Sequence, residues 1–500
     1  MTHLLRVGAL AILLAGFSPC LGCRSTSCQQ PGTSACPARI AVRQPVAAAT
    51  ECGPPAAATV SALSCRLPAV QQVAHLETTD PEVIAAPSSD GLFLGQTELS
   101  LQQLTDLVLS RNASLQAMTF AWQAAQQRYP QAIALDDPTF MGMAAPASFN
   151  SSTVSGAYVV GGSQKIPWFG KREARGDAAK ADASAMFSDV RDARLQLIQT
   201  TRMAFFESYL IARELEINRG NLQLTREFRD LAQAKYENNL VTEQDVLQAD
   251  VELATSERRL LELARMNRVA TARLNTLLRR NPDEFLPPTP KQLPDVAAVP
   301  PAGLLRQMAI FQRPDLAAIA ARARAEQAAV VLAMKQFYPD TEFYGRYDSF
   351  WQPAATQGDL RGQVGVNMNM PIYRGKLNAA VNEAQFRLSQ RNAEYRQKVA
   401  DVQFEVQSAY AQVSESQQAI ELYRTSLLPV TEQSVATARE NYDVGKTTFL
   451  NLLTAQQQLL MQREQYQQAL AAYHSRVADL ERAVGGPLPE VPPSEPSSLP

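Results

Sequence analysis

The sequence predicts a mainly α-helical protein with two β-hairpins, built as two copies of one long helix–hairpin–helix unit. Three observations predict it. First, Tyr236, Asp245, Val246, Leu247, Ala249 and Leu253 match Tyr442, Asn451, Leu452, Leu453, Ala455 and Leu459 about 205 residues downstream, and self-similarity at one long period marks a duplicated structural unit. Second, Pro167-Trp168-Phe169-Gly170-Lys171 answers Pro371-Ile372-Tyr373-Arg374-Gly375-Lys376, and Asn112-Ala113-Ser114-Leu115 answers Arg313-Pro314-Asp315-Leu316. Third, Pro and Gly concentrate in a few places and leave long Ala/Gln/Leu/Arg/Glu stretches between them, which is the composition of long helices.

The chain opens with His3 and Arg6 ahead of an apolar run from Val7 to Phe17. Such a run is too short to span a bilayer but has the form of a secretory signal, so the chain is expected to be exported. All six cysteines fall between Cys20 and Cys65, so the rest of the chain has neither a disulfide framework nor a thiolate metal site. Cys20-Leu21-Gly22-Cys23 resembles a bacterial lipobox, with Cys20 where an aliphatic residue is usual. Lipidation of Cys23 is the corresponding expectation, and it would anchor the chain without a transmembrane helix. From Arg24 to about Ser89 the Ala, Pro, Ser, Thr and Gln content, without periodicity, reads as a disordered tether. Cys28, Cys36, Cys52 and Cys65 can pair in an oxidising compartment, in a connectivity the sequence does not specify.

The first unit starts with apolar residues at Leu104, Leu107, Val108, Leu115, Met118 and Ala121, a helical spacing that predicts one helix from Leu101 to about Arg128. Tyr129-Pro130 is expected to end it, with Asp136-Asp137-Pro138 as a second breaker. Alternating segments at Thr139–Phe149 and Val154–Ile166, separated by Asn150-Ser151-Ser152, predict a hairpin. In the second copy one helix from about Leu304 ends at Tyr338-Pro339, and strands follow at Thr341–Trp351 and Leu360–Met370. In the last strand Val364, Val366, Met368 and Met370 share one face, opposite Gln363, Gly365, Asn367 and Asn369. Strands of about ten residues match the length of tilted membrane-crossing strands.

Each hairpin is followed by Gly-Lys and a long helical run, Arg172 to about Asn238 and Leu377 to about Asp443. Seventy residues at about 1.5 Å each make a rod on the order of 100 Å. Pro429 interrupts only the second rod, where a kink is expected. Polar turns at Asn238-Asn239-Leu240 and Val444-Gly445-Lys446 reverse the chain. The returning helices carry heptads, Phe449, Gln456, Arg463, Leu470, Val477 and Val484 with Leu452, Leu459, Tyr466, Tyr473 and Leu480, and their counterparts from Val246 to Leu277. These are coiled-coil seams whose small and polar members suit a wide helical wall. Between the copies, a Pro-rich stretch reads as an external connector.

Four membrane-length strands cannot close a barrel, and open edges in lipid leave backbone groups unsatisfied. Two chains would give eight strands and a filled interior, whereas three give twelve and a lumen, so a homotrimer is expected.

These residues resemble the TolC family of outer-membrane efflux proteins, from about Leu99 to Gly486, on the helix–hairpin–helix repeat and the Tyr-x(8)-Asp/Asn-Val/Leu-Leu-x-Ala pattern at the turns. The resemblance implies a trimer whose twelve-stranded outer-membrane β-barrel continues into a periplasmic α-helical barrel. It also implies the role of exit duct in a tripartite efflux pump, with a periplasmic adaptor (membrane fusion protein) and an inner-membrane transporter as partners. Gln164–Lys171 with Asp136-Asp137-Pro138 looks most like the CusC/CzcC heavy-metal branch, which makes metal cations a cargo to consider. The chain then divides into a signal peptide (1–22), a lipid-anchored tether (23–97), repeat 1 (98–286), a connector (287–301), repeat 2 (302–486) and a Pro-rich tail (487–500).

In this family the helical turns form the periplasmic aperture, narrowed by carboxylates just after the turn. Asp245 matches such a position, while the second copy has Asn451 and Thr454 there, so half of the acidic gate is missing. Lys446 lies at the same aperture, and Tyr236, Tyr442 and Gly445 shape the tip turns. Three copies of Asp245 would make an acidic ring that selects cations. The competing role of Asp245 is to cap its helix.

Other candidates are weaker. Met141/Met143 and Met368/Met370 could bind soft metal, but the latter share a face with Val364 and Val366 and read as barrel wall. Lys171, Arg172 and Arg175 read as a charged girdle at the membrane boundary. His474 is expected to be a satisfied helix residue. Net charge is −2 and the basic residues form no stripe, which argues against nucleic acid. No nucleophile–base grouping, phosphate loop or metal-ligand cluster is present, so neither enzymatic activity nor a cofactor is expected. The alternative to a channel is a periplasmic, lipid-anchored coiled-coil adaptor or structural protein. It would explain the lipobox and the heptads, but not two hairpins in register with the duplication.

Overall fold

The protein's structure, a computed structural model, describes residue 93 and residues 95–144, 158–349 and 362–489. The signal peptide, Cys23, the cysteines of the tether, the turn at Asn150-Ser151-Ser152, Trp351 and the end of the Pro-rich tail lie outside the described residues.

Copy 1 runs α1 (Leu101–Arg111), α2 (Ala113–Gln126), α3 (Arg128–Ile133), β1 (Thr139–Ala144), β2 (Tyr158–Ile166), α4 (Lys171–Glu237) and α5 (Glu243–Leu277). The single helix expected over Leu101–Arg128 is therefore split. Asn112 is extended, and its side-chain oxygen accepts from Leu115 N at 2.9 Å, which caps α2 and interrupts the run. Contrary to expectation, Pro130 does not end the helical region but sits third in α3. There its missing N–H falls among the first four amides, which have no partner within a helix.

Copy 2 runs α6 (Ala302–Gln312), α7 (Pro314–Lys335), β3 (Thr341–Ser349), β4 (Gly362–Met368), α8 (Arg374–Leu422), a π-helical turn (Tyr423–Leu427), α9 (Leu428–Asp443) and α10 (Phe449–Val484). The helix expected from Leu304 to Phe337 is split at the matching place, because Pro314 starts α7 and holds extended Arg313 outside both helices. Gly485 ends α10 at φ +94°, and a Cβ there would meet the Arg313 backbone at 2.9 Å. Only glycine fits that close approach.

The expected interruption of the second rod is present, with a different cause from Pro429 alone. Lys171 and Lys376 are 205 residues apart, whereas Tyr236 and Tyr442 are 206 apart, so copy 2 carries one extra residue in this helix. Upstream of the π turn the 205 offset holds: Val406, Ala409, Val413, Ser416 and Ile420 are buried, as are Thr201, Ala204, Ser208, Ile211 and Leu215. A π turn closes each hydrogen bond over one more residue than an α turn, so it absorbs the insertion without rotating the buried stripe. Pro429 follows it directly, where α9 begins.

Among the described residues four strands form one antiparallel sheet in the order β1-β2-β3-β4, with β1 and β4 at its edges. The hairpins expected from alternation are present over their described parts. Register puts Phe140, Val160, Phe343, Val364, Val366 and Met368 on one face, and Thr139, Ser163, Lys165, Glu342 and Asn367 on the other. Met141 and Met143 stand on the polar face, away from Met368, so the two methionine pairs cannot share a ligand.

Among the described residues three apolar clusters hold the helices. One lies in copy 1 around Leu104, Phe205, Phe206 and Leu274, and another in copy 2 around Leu305, Val402, Val413 and Leu480. The third joins both copies at the turn end through Phe228, Val246, Tyr442, Phe449 and Leu452. Each large side chain sealed this way contributes about 2 kcal/mol. Most heptad positions are buried, including Leu452, Leu459, Tyr473, Leu480, Leu263 and Leu274, but Arg463 is exposed and pairs with Glu432 at 2.8 Å. The connector is a strap rather than a free spacer: Pro288 O accepts from Leu99 N at 2.9 Å, and Tyr473 Oη donates to Ala297 O at 3.0 Å.

Candidate channel aperture

Both tip turns close in the same way. Leu240 N donates to Lys235 O at 2.9 Å and Asn239 N to Tyr236 O at 2.8 Å, with Asn239 left-handed at φ 59°. Lys446 N donates to Asn441 O at 2.8 Å and Gly445 N to Tyr442 O at 3.1 Å, with Gly445 at φ 73°. This six-to-one closure needs one left-handed residue, which Asn tolerates and Gly adopts freely.

After the turns the copies diverge. Asp245 is the third residue of α5, and its Oδ2 accepts from both Thr242 N and Thr242 Oγ1 at 3.2 Å, a reciprocal cap on the helix start. Its other carboxylate oxygen accepts no hydrogen bond among the described residues. Asn451 takes the same place in α10 but donates back to Thr447 Oγ1 at 2.9 Å. Lys446 is exposed.

The two tip tyrosines are not equivalent either. Tyr236 is 39% exposed, whereas Tyr442 is 2% exposed and packs edge-on against Phe449 at 5.8 Å. Burial, with the nearby Asp245 and Asp443 charges, pushes the Tyr442 hydroxyl up to about 12. That hydroxyl has no hydrogen-bond partner among the described residues. Lys235, which the sequence pattern did not single out, stands 4.0 Å over the Tyr442 ring and donates to Tyr442 O at 2.7 Å. It fastens the end of α4 to the end of α9. Its only signal was adjacency to Tyr236, because the heptad pattern marks apolar positions.

At the other end, the expected girdle of Lys171, Arg172 and Arg175 is corrected. Lys171 is buried and bonded to Asp340 at 2.7 Å, and Arg172 Nε donates to Ile133 O at 2.7 Å. His474 is only half satisfied: it bonds to Pro294, but its buried Nε2 has no partner among the described residues. Among the described residues no helix is long and apolar enough to cross a membrane, and none form a group of three or more His, Cys, Asp or Glu placed to hold a metal.

Helices of up to 67 residues joined to a small sheet with one apolar, exposed face, where Val364 is 92% exposed, define a membrane-channel type of subunit. The chain belongs to the outer membrane efflux protein family, whose model matches residues 104–278 and 305–486, the two repeated copies. The cobalt-zinc-cadmium resistance protein CzcC of Cupriavidus metallidurans is 26% identical over 327 residues, covering 63% of this chain and 74% of that protein. Outer membrane protein OprJ of Pseudomonas aeruginosa is 24% identical over 418 residues, covering 78% of this chain and 84% of OprJ. The solved structure of CusC superposes with a TM-score of 0.67 at 19% identity, over 78% of this chain and 92% of that one, a likeness of fold.

Proposed function

We propose that this chain is the outer-membrane exit duct of a tripartite efflux system, working as a homotrimer with a periplasmic adaptor and an inner-membrane transporter. The observation that carries this reading is the sheet: one face apolar and exposed, one face polar, and an edge on each side that is unpaired among the described residues. Backbone edges cannot remain open in lipid, so the four strands need neighbouring chains, and three chains supply twelve strands around a lumen. The apolar face then meets lipid and the polar face lines the pore. Family membership supports the efflux role.

Divalent metal cations are the cargo class we favour, on the likeness to the cobalt-zinc-cadmium resistance protein. Asp245, which keeps one carboxylate oxygen free while capping α5, supplies one acidic group per chain to the aperture, and Lys446 and Asn451 line it. Tyr236, Tyr442 and Gly445 set the shape of the turns. Cys23 carries the lipid that tethers the periplasmic side to the outer membrane; mass spectrometry of the mature N-terminus tests this, and an unmodified residue there would refute it. The function is tested by detergent extraction of outer membranes, sizing and planar-bilayer recording. A trimer with steady conductance is expected. A monomer without conductance in the soluble periplasm would overturn the channel reading.

A further inference from the structure

Within one chain, Lys171 and Asp340 make a clasp at the base of the sheet. Lys171 is 1% exposed, and its Nζ donates to Asp340 Oδ1 at 2.7 Å and to Tyr338 O at 2.9 Å. Asp340 Oδ1 also accepts from Trp168 N at 3.0 Å, and the Trp168 indole stacks on Tyr338 with centroids 5.5 Å apart. The clasp fastens the chain leaving β2 in copy 1 to the chain entering β3 in copy 2. These strands are neighbours in the sheet.

The duplication supplies each half of this clasp a second time. Gly375-Lys376 after β4 repeats Gly170-Lys171 after β2. Asp137-Pro138-Thr139-Phe140-Met141-Gly142 at β1 repeats Asp340-Thr341-Glu342-Phe343-Tyr344-Gly345 at β3, matching at Asp, Phe and Gly. Register supports that alignment, because Phe140 and Phe343 lie on the same face of the sheet. Yet Lys376 and Asp137 are both exposed, and neither side chain has a partner among the described residues. The apolar halves are open too: Ile372 and Tyr373, at the place of Trp168, are exposed, as is Leu135, at the place of Tyr338. The unused lysine follows one edge strand and the unused aspartate precedes the other.

We infer that Lys376 of one subunit pairs with Asp137 of the next, repeating between chains the Lys171–Asp340 clasp made within each chain. The inference rests on the trimer reading above and adds the residues and register of its junction. Gln164 opposes Phe343 within the chain, and Met368 is the counterpart of Gln164 through the Pro167 and Pro371 match. Met368 therefore opposes Phe140 of the neighbouring chain. Both sit on the apolar face, as paired residues of one sheet must. Three such junctions close the ring, each burying a lysine that is solvated in the isolated chain.

The test uses full-length protein in outer membranes, with Cys28, Cys36, Cys52 and Cys65 changed to Ser. In that background Lys376→Cys with Asp137→Cys, treated with a short thiol-specific crosslinker, is expected to give covalent dimers and trimers on denaturing gels. Either cysteine alone gives monomer. Charge reversal is the second arm: Lys376→Asp and Asp137→Lys each lose the detergent-stable trimer, and the two together restore it. If the parent sizes as a trimer but the double cysteine gives no ladder and the reversed charges change nothing, the clasp is wrong and the trimer stands. If the parent sizes as a monomer, the trimer reading falls and the clasp with it.

Discussion

Copy 1 and copy 2 keep the same order of helices and strands, with α7 standing where copy 1 has α2 and α3, but the long helix of copy 1 is one unbroken α4 of 67 residues, whereas copy 2 divides it into α8, a π turn and α9. The difference is a single residue of length. It shows how such a duplication tolerates insertion: the extra residue is wound into one wide turn, and the buried stripe continues in phase. Single-residue deletions in the two helices should have opposite outcomes. Removing Gln223 from α4 rotates everything after it by about 100°, swings Phe228 and Ala232 out of the tip cluster, and is expected to abolish the folded protein. Removing Ser426 from the π turn, together with Pro429→Gln so that no proline enters the restored α-helix, leaves the register intact. That variant should fold and assemble, as read by membrane yield and size. Failure of both deletions alike would refute the insertion account.

The second difference lies at the sheet base, where Lys171 is enclosed and Lys376 is open. Lys171→Met leaves the Asp340 carboxylate facing only Trp168 N and a Lys165 ammonium 4.0 Å away. Asp340 is 12% exposed and keeps those two contacts, so the loss is about 2 kcal/mol, below that of a fully enclosed pair, and a clear fall in the thermal midpoint of the purified protein is expected. A midpoint within error of the parent would show that the pair is not structural.

His474 has Arg268 as its exposed counterpart in copy 1. Burial drops His474 to about 4, only partly offset by its bond to the Pro294 carbonyl, and its Phe206 neighbour stacks at 5.3 Å. The unfolded residue titrates near 6.5. Between those values the unfolded chain binds more protons than the folded one, so stability falls as pH drops below about 6.5 and levels near 4. The loss at full titration is about 3 kcal/mol. The difference between parent and His474→Phe across that pH range isolates it from the carboxylates. A flat difference would show that His474 stays solvated.

Much of this architecture was legible because it depends on period. Alternation located both hairpins, and the Gly-Lys and Tyr-x(8)-Asp/Asn patterns located both helix starts and both tip turns. What escaped depends on single side chains. Asn112 reads as one more polar helix residue until its oxygen is seen on Leu115 N. The π turn was visible only as a one-residue change in repeat offset, which Pro429 overshadowed. At the tip turns, Asp245 was legible as a carboxylate after a turn with capping of its helix as the competing role, whereas its partner Thr242 emerged only from the structure. The inequality of Tyr236 and Tyr442 was not legible, because it arises from Phe449 and Lys235 closing over only one of them.

At the tip turns the contrast is Asp245 against Asn451. Asn451→Asp places a carboxylate third in α10, after Thr448, as Asp245 stands after Thr242. A second reciprocal cap and a favourable charge at the helix start should stabilise α10 by about 0.5–1 kcal/mol. If the proposed aperture is right, the same change doubles the carboxylates each chain offers to it, so block of single-channel current by divalent cations added from the periplasmic side should strengthen, while Asp245→Asn should weaken it. The two readouts separate the roles of the position. Asp245→Asn that lowers stability but leaves block unchanged would confine the carboxylate to capping, whereas opposite shifts in block from the two variants would place both residues at the aperture.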